Sequence, residues 1–236
     1  MRYGIIFLLL AAACAWQALY TESIPVQIVA GYSALTFVGV ALAYLLTFPG
    51  LLMKRADGSL HWLSWVVFWP YVLLSGVLLG GFRIVSRGRA YDEIVPGVLL
   101  GGRLLPWERS GLQAKESLAV LDLTFELPEA RALRSRFKYR CIPLLDASAP
   151  SQDELHEGVE WLIQEAEKGC VYVHCAAGHG RSATFVAAYL LQTGVSTSPA
   201  DAISLIAQRR PGVLLNSRQF VVLGEYAKTL SFFLMN

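Results

Sequence analysis

Charge is distributed so unevenly along this chain of 236 residues that one ordinary globule cannot account for it. Arg2, Glu22, Lys54, Arg55 and Asp57 are the only charged residues before Arg83, although the chain holds 20 basic and 18 acidic side chains. A soluble domain carries about 25% charged residues throughout its length. Here the total is 16%, and nearly all of it lies in the last two thirds. The pattern predicts a membrane-embedded N-terminal third joined to a water-soluble remainder. With 17 basic and 16 acidic residues, that remainder has no net field to attract nucleic acid.

Three uncharged apolar stretches occupy residues 4–20, 26–48 and 61–82. A hydrocarbon core about 30 Å thick needs about 20 apolar residues at about 1.5 Å each. The second and third stretches meet that length and the first falls at the short end, so about three transmembrane helices are expected. Trp62, Trp65, Trp69 and Tyr71 crowd the start of the third stretch as interfacial anchors do, and Pro70 would kink that helix without breaking it. The first stretch has a second reading as a secretory signal, from Arg2, the apolar run and the small residues Ala11 to Ala13. Cys14 reads as a buried residue of the span. Residues 1–82 then form the membrane region, 83–91 a basic linker and stop-transfer flank, and 92–236 the soluble domain. With three spans the positive-inside rule ties, Arg2, Lys54 and Arg55 on one side opposing Arg83, Arg87 and Arg89 on the other. A required free thiol favours a cytoplasmic soluble domain.

From Tyr91 onward short β-rich runs alternate with amphipathic helices, which predicts an α/β domain with a mostly parallel central sheet flanked by helices. Strands are expected at 98–100, 118–123, 139–144 and 171–174. A helix over 153–168 carries Leu155, Val159, Leu162, Ile163 and Ala166 on one face, with Trp161 as a packing residue. Ser198, Pro199 and Asp201 supply a cap, a first-turn proline and a reciprocal acid for the next helix. A last helix spans 217–230.

The decisive passage is VYVHCAAGHGRSATFVAAYLL, residues 171–191. A β-branched strand ends at His174, a glycine-bearing loop follows, and a helix begins near Ser182. A cysteine between strand end and helix start meets unpaired N–H groups at the positive end of the helix dipole, a setting that binds anions and lowers a thiol pKa. Gly178 and Gly180 let the backbone turn its amides inward, and the planar fork of Arg181 matches two phosphate oxygens at once. Together these parts specify a phosphate cradle with a nucleophile at its floor.

The run His174-Cys175-x-x-Gly178-x-Gly180-Arg181-Ser182 resembles the HCxxGxxR[ST] signature of the cysteine-dependent protein tyrosine phosphatases, and the short domain is similar to their dual-specificity branch. The resemblance runs over roughly 92–230, including PGVLLGGR, LAVLDLT and RPGVLLNSRQF, and leaves the membrane third outside. It implies a hydrolase of phosphate monoesters that works through a phosphocysteine intermediate with neither cofactor nor metal. Cys175 would be the nucleophile, and Arg181 with the loop residues Ala176, Ala177, Gly178, His179 and Gly180 would hold the phosphate. Ser182 would help the thiolate leave, and His174 would orient the loop. The family draws its general acid from a mobile loop after the preceding strand, and in YRCIPLLDASAPSQDEL that position is Asp146. Asp153 reads instead as a helix-start residue and Asp122 as a structural carboxylate at a strand end. The family's longer tryptophan-bearing acid loop is absent, which fits the dual-specificity branch.

A rhodanese-like sulfur transferase would not ordinarily pair Arg181 and Ser182 with an upstream acid. His156, His174, His179 and the cysteines lack paired metal-ligand spacing. Cys141 and Cys170 read as buried sheet thiols, with a protective disulfide from Cys141 to Cys175 as a minor alternative. The substrate expectation is a phosphoprotein, bearing phosphate on Tyr, Ser or Thr, with a phospholipid (phosphatidylglycerophosphate or a phosphoinositide) as the alternative partner at the bilayer. A non-catalytic phosphate-binding adaptor is the second alternative. Phosphoinositide phosphatases of the superfamily carry HCKAGKGR. Ala176 and His179 stand at the two lysine positions, so a fully basic inositol pocket is not indicated.

Overall fold

The computed structural model describes residues 2–86, 88–115 and 117–234. Three helices open the chain: α1 (Arg2–Tyr20), α2 (Ile24–Leu45) and α3 (Trp62–Ser86). All three are long and apolar enough to cross a membrane by length and composition. α1 and α2 form a tight antiparallel hairpin around the three-residue turn 21–23. At its base Gly4 lies against the Leu45 side chain, which a Cβ there would meet at 2.9 Å. α3 runs unbroken through Pro70 and extends to Ser86, so that Arg83 lies within the helix and pairs with Glu108 at 3.1 Å. Cys14 is half-buried.

The rest of the chain builds a five-stranded sheet from β1 (Tyr91–Val95), β2 (Val98–Gly102), β3 (Leu118–Thr124), β4 (Lys138–Leu144) and β5 (Cys170–Cys175), in the order β1-β2-β5-β3-β4. Only the β1-β2 hairpin is antiparallel; the other three pairings are parallel. β2, β3 and β5 are buried on both faces, which is why they read as continuous apolar runs rather than as alternation. β1 escaped the sequence reading because the edge strand YDEIV is half polar and buries only Ile94 fully.

One face of the sheet carries α6 (Gln152–Ala166), α7 (Arg181–Gln192), α8 (Pro199–Arg209) and α9 (Ser217–Leu234) over a core of Val98, Leu121, Val173, Leu155, Phe185 and Leu223. The short helices α4 (Ser110–Gln113) and α5 (Arg131–Arg134) close the other face over Leu99, Leu112, Val120, Leu133 and Tyr172. Ser151 and Glu154 form a reciprocal capping box that fixes the start of α6, with Asp153 in its first turn. Ser198 caps α8, but Asp201 reaches back to the Thr197 N–H rather than to that of Ser198. Trp161 is in the core, as expected. Cys141 and Cys170 are half-buried rather than buried, and all four cysteines are free thiols.

Candidate active site

The parallel strands all point their carboxyl ends at one edge of the sheet, where the loop from β5 to α7 emerges. Gly178 takes φ +78° there, and a Cβ on it would lie 2.3 Å from the Gly101 carbonyl carbon. The loop is pinned to β2 by Arg103 N–H donating to the Cys175 and Ala176 carbonyls. From the far side the buried Arg210 donates to the carbonyls of Gly178 and Ala177 and pairs with Asp92 at 2.7 Å.

Cys175 sits on the floor of this loop. Its Sγ lies 3.3 Å from Ser182 Oγ and accepts the Gly178 N–H at 3.3 Å. Burial would push the thiol pKa up, but the Arg181 charge and the hydrogen bonds from Ser182 and Gly178 outweigh it, so the pKa falls below that of an ordinary cysteine. Arg181 is itself buried. Its two terminal nitrogens grip Glu126 in a fork, at 2.9 and 2.6 Å, and one of them reaches Asp146 Oδ1 at 3.0 Å. Asp146 stands in the loop after β4 with 46% of its side chain exposed, which leaves it free to meet a ligand. Asn216 and Gln219, at the start of α9, brace that loop by donating to the Ala147 and Ser148 carbonyls.

Beneath the loop, His174 lies between two carboxylates, 3.1 Å from Glu129 and 3.8 Å from Asp122. Burial lowers its pKa, but the two carboxylates more than reverse this and raise it. Asp122 also takes Lys54 Nζ at 2.7 Å, both side chains wholly out of solvent, and the hydroxyl of the half-buried Tyr139 at 2.6 Å. Lys54 and His174 therefore hold the Asp122 carboxyl well below its usual range in spite of its burial. Asp122, Glu129 and His174 offer ligand atoms within 4.8 Å of one another, a spacing that could hold a metal ion. Lys54 already supplies a cation at Asp122, so this donor set fits an ion-pair network better than a metal site.

The structure thus brings together all the residues singled out in the sequence: Cys175, Ser182, Arg181, Asp146, His174 and the loop 176–180. Glu126, Glu129 and Lys54 were missed. The first two follow β3 in TFELPEA, where a pair of acids beside an apolar strand was the available signal. Lys54 gave none, lying 68 residues from its partner.

Two cavities meet at the loop. A cavity of about 200 Å³ is lined by Cys175, Arg181, Asp146, His179 and Gln219, with Tyr3 of α1 at its mouth. A vestibule of about 270 Å³ opens beside it between Phe7, Tyr44, Tyr71, Leu78 and Phe82 of the three N-terminal helices and Asp146, Ala176 and Ala177. Tyr3 lines both. A third, wider cleft of about 600 Å³ gathers Arg83, Arg89, Arg209 and Arg210 on the far side of His179.

The sequence pattern of the dual specificity phosphatase catalytic domain matches residues 108–229, more than half of the chain. The chain belongs to the dual-specificity phosphatase family. It is a cysteine-dependent phosphatase that hydrolyses phosphate esters. Among its relatives is the phosphatidylglycerophosphatase and protein-tyrosine phosphatase 1 of Mus musculus, 29% identical over 216 residues, covering 84% of this chain and 96% of that protein. The phosphatidylglycerophosphate phosphatase PTPMT1 of Arabidopsis thaliana is 34% identical over 152 residues, 61% of this chain and 44% of that one. The crystal structure of PTPMT1 in complex with PI(5)P matches with a TM-score of 0.55 at 30% identity, over 61% of this chain and 99% of that one. Within this dual-specificity fold, β5 and α7 carry the signature loop.

Proposed function

We propose that the protein is a membrane-anchored phospholipid phosphatase that removes a terminal phosphate monoester from a glycerophospholipid, with residues 92–236 as its catalytic domain. The observation that carries this reading is the apolar vestibule, which runs from the N-terminal helices directly onto Asp146 and the catalytic loop. A phosphorylated side chain of a protein needs no such apolar approach; the glycerol and first methylenes of a lipid do. The names of the relatives add support, since they refer to phosphatidylglycerophosphate and, for one complex, PI(5)P. The cleft beside His179 adds more, because the exposed Arg89 and Arg209 there offer cations to a second anionic group although the loop itself lacks lysines, while Arg83 and Arg210 are already paired with Glu108 and Asp92. These observations favour the phospholipid over the phosphoprotein that the family resemblance put first.

In this reading Cys175 Sγ attacks phosphorus as thiolate while the bond to the leaving oxygen breaks, and Asp146 gives that oxygen its proton. Arg181 and the amides of 176–181 hold the remaining oxygens as charge redistributes. Water then attacks the phosphocysteine, losing a proton to Asp146, and the thiolate leaves toward Ser182 Oγ. Glu126 keeps the Arg181 fork in one plane, and His174, held between Asp122 and Glu129, orients the loop.

Asp146→Asn is expected to slow alkyl phosphates at least about a hundredfold and p-nitrophenyl phosphate far less, because only the poor leaving group needs the proton. A uniform loss across both esters would move the acid elsewhere. The substrate is tested in mixed micelles with phosphatidylglycerophosphate, phosphoinositides and phosphopeptides. Ser75→Trp, which fills the vestibule, is expected to lower the ratio of lipid to p-nitrophenyl phosphate turnover by about tenfold or more. An unchanged ratio, or a phosphopeptide outrunning every lipid, would overturn the lipid reading.

A further inference from the structure

The segment that joins α2 to α3 is bonded to the catalytic unit along its length. Lys54 Nζ is buried against Asp122 and Thr124. Asp57 pairs with Arg134 at 2.8 Å, and the Gly58 carbonyl accepts the Glu129 N–H at 2.8 Å. Leu60, just before α3, shares a buried cluster with Leu127. The far end of α3 is tied to the same unit by Arg83 to Glu108 and by Phe82 edge-on to His179. Between the two ends, Tyr71 packs on Phe125, and Val72 and Leu79 join the Leu127 cluster. At 25 residues α3 is about 37 Å long, enough to separate its flanks by a whole bilayer. A span would have to do so, and a soluble domain cannot hold both flanks.

We infer that α3 is not a span but an interfacial helix by which the catalytic unit rests on the lipid surface, so that the chain crosses the membrane only as the α1-α2 hairpin. The two faces of α3 differ as this requires. Ser64, Phe68, Tyr71, Val72 and Leu79 are buried against protein. Trp62, Trp65, Val66, Trp69, Leu73 and Val77, at helical spacing, are exposed, Trp65, Trp69, Leu73 and Val77 along an open cleft whose other wall is Arg103, Leu127 and Pro128, with Trp69 also stacked on Tyr32 of α2. Three indoles and three aliphatic chains on one face suit the headgroup and acyl boundary, where tryptophan concentrates. The protein itself occupies the side on which a free interfacial helix would carry charge. The lipid is the occupant because the exposed stripe adjoins α2, against which Phe68 and Thr36 pack this helix, and α2 carries its own exposed Val29, Leu35 and Leu42.

Charge agrees with two crossings. The turn beyond the hairpin, residues 21–23, holds only Glu22. Arg2, Lys54, Arg55, Arg83 and Arg89 all fall on the other side, with the catalytic loop. The tie that three spans create in the positive-inside rule disappears, and the rule places that side in the cytoplasm. The lipid substrate would then be drawn from the cytoplasmic leaflet. The topology itself rests on the packing alone and stands whichever phosphate ester is cleaved.

The test is labelling of the full-length protein in membranes with an impermeant maleimide, using Glu22→Cys, Ala56→Cys and Gln208→Cys over the background of the native thiols. Retained hydrolysis of p-nitrophenyl phosphate checks that each variant is folded. Ala56 and Gln208 positions are expected to react in inverted vesicles and Glu22 in intact cells stripped of their outer layers. Labelling of Ala56 and Gln208 from opposite sides would restore α3 as a span. Labelling of Glu22 from the same side as Gln208 would mean that the hairpin does not cross. Either result overturns the inference.

Discussion

Cys175→Ser is expected to lower kcat toward p-nitrophenyl phosphate by roughly 10⁴-fold or more, as loss of a covalent nucleophile does. The loop is built to stabilise a thiolate: Arg181, Ser182 and the Gly178 N–H outweigh the burial of Cys175 and lower its pKa. A serine hydroxyl ionises so much less readily that the same contacts leave it protonated. Steady-state rates on purified wild type and variant measure the effect. The phosphate cradle is untouched by this substitution, so the variant should still bind substrate while failing to turn it over. Equal rates from the two proteins would end the phosphocysteine mechanism, and the adaptor alternative would gain what it lost.

The second large effect concerns stability. Lys54→Met leaves Asp122 buried without its ammonium, and removing one partner from a fully buried pair costs about 3–5 kcal/mol. In a chain of this size that corresponds to a fall in Tm of roughly 6–20 °C. His174 and Tyr139 still face Asp122 and soften the loss, which puts the expectation at the lower end. Glu157→Gln provides the contrast: its partner Arg140 is on the surface, and an exposed pair contributes about 0–1 kcal/mol. Adding Asp122→Asn to Lys54→Met should cost less than the sum of the single changes, as coupled partners do. Thermal unfolding in detergent measures wild type, the three single variants and the double variant. A Lys54→Met protein as stable as wild type would mean that the segment between α2 and α3 does not dock on the catalytic unit, and the inference about α3 would lose its firmest support.

Sequence and structure agree most closely where a residue's neighbours in the chain are also its neighbours in space. The β5-α7 loop is an example: strand, glycine turn and helix start follow one another within a dozen residues, so Cys175, Gly178, Arg181 and Ser182 could be read together. The start of α6 near Asp153 and the Ser198 cap of α8 were legible for the same reason. The β1 edge strand was not, because only Ile94 of its five residues is buried and its pairing with β2 imposes no apolar run. Glu126 was passed over although it lies only two residues beyond β3. Its importance comes from Arg181, 55 residues further on.

By itself the sequence determined that an apolar third is joined to a charged α/β domain, and it singled out Cys175, Arg181 and Asp146 as candidates for one phosphoester site. Both conclusions rest on composition and short-range order, which the covalent chain carries with it. Tertiary structure alone decided that Lys54, from between two apolar helices, anchors the carboxylate beneath the loop. It also set Tyr3, Tyr44 and Tyr71 around the approach to the nucleophile, gathered scattered arginines beside His179, and held both ends of α3 to one domain. Each of these joins residues far apart in sequence, and no local propensity or periodicity encodes which distant surfaces will bury one another. The length and hydropathy of α3 permit a crossing; the contacts at its two ends are what oppose one.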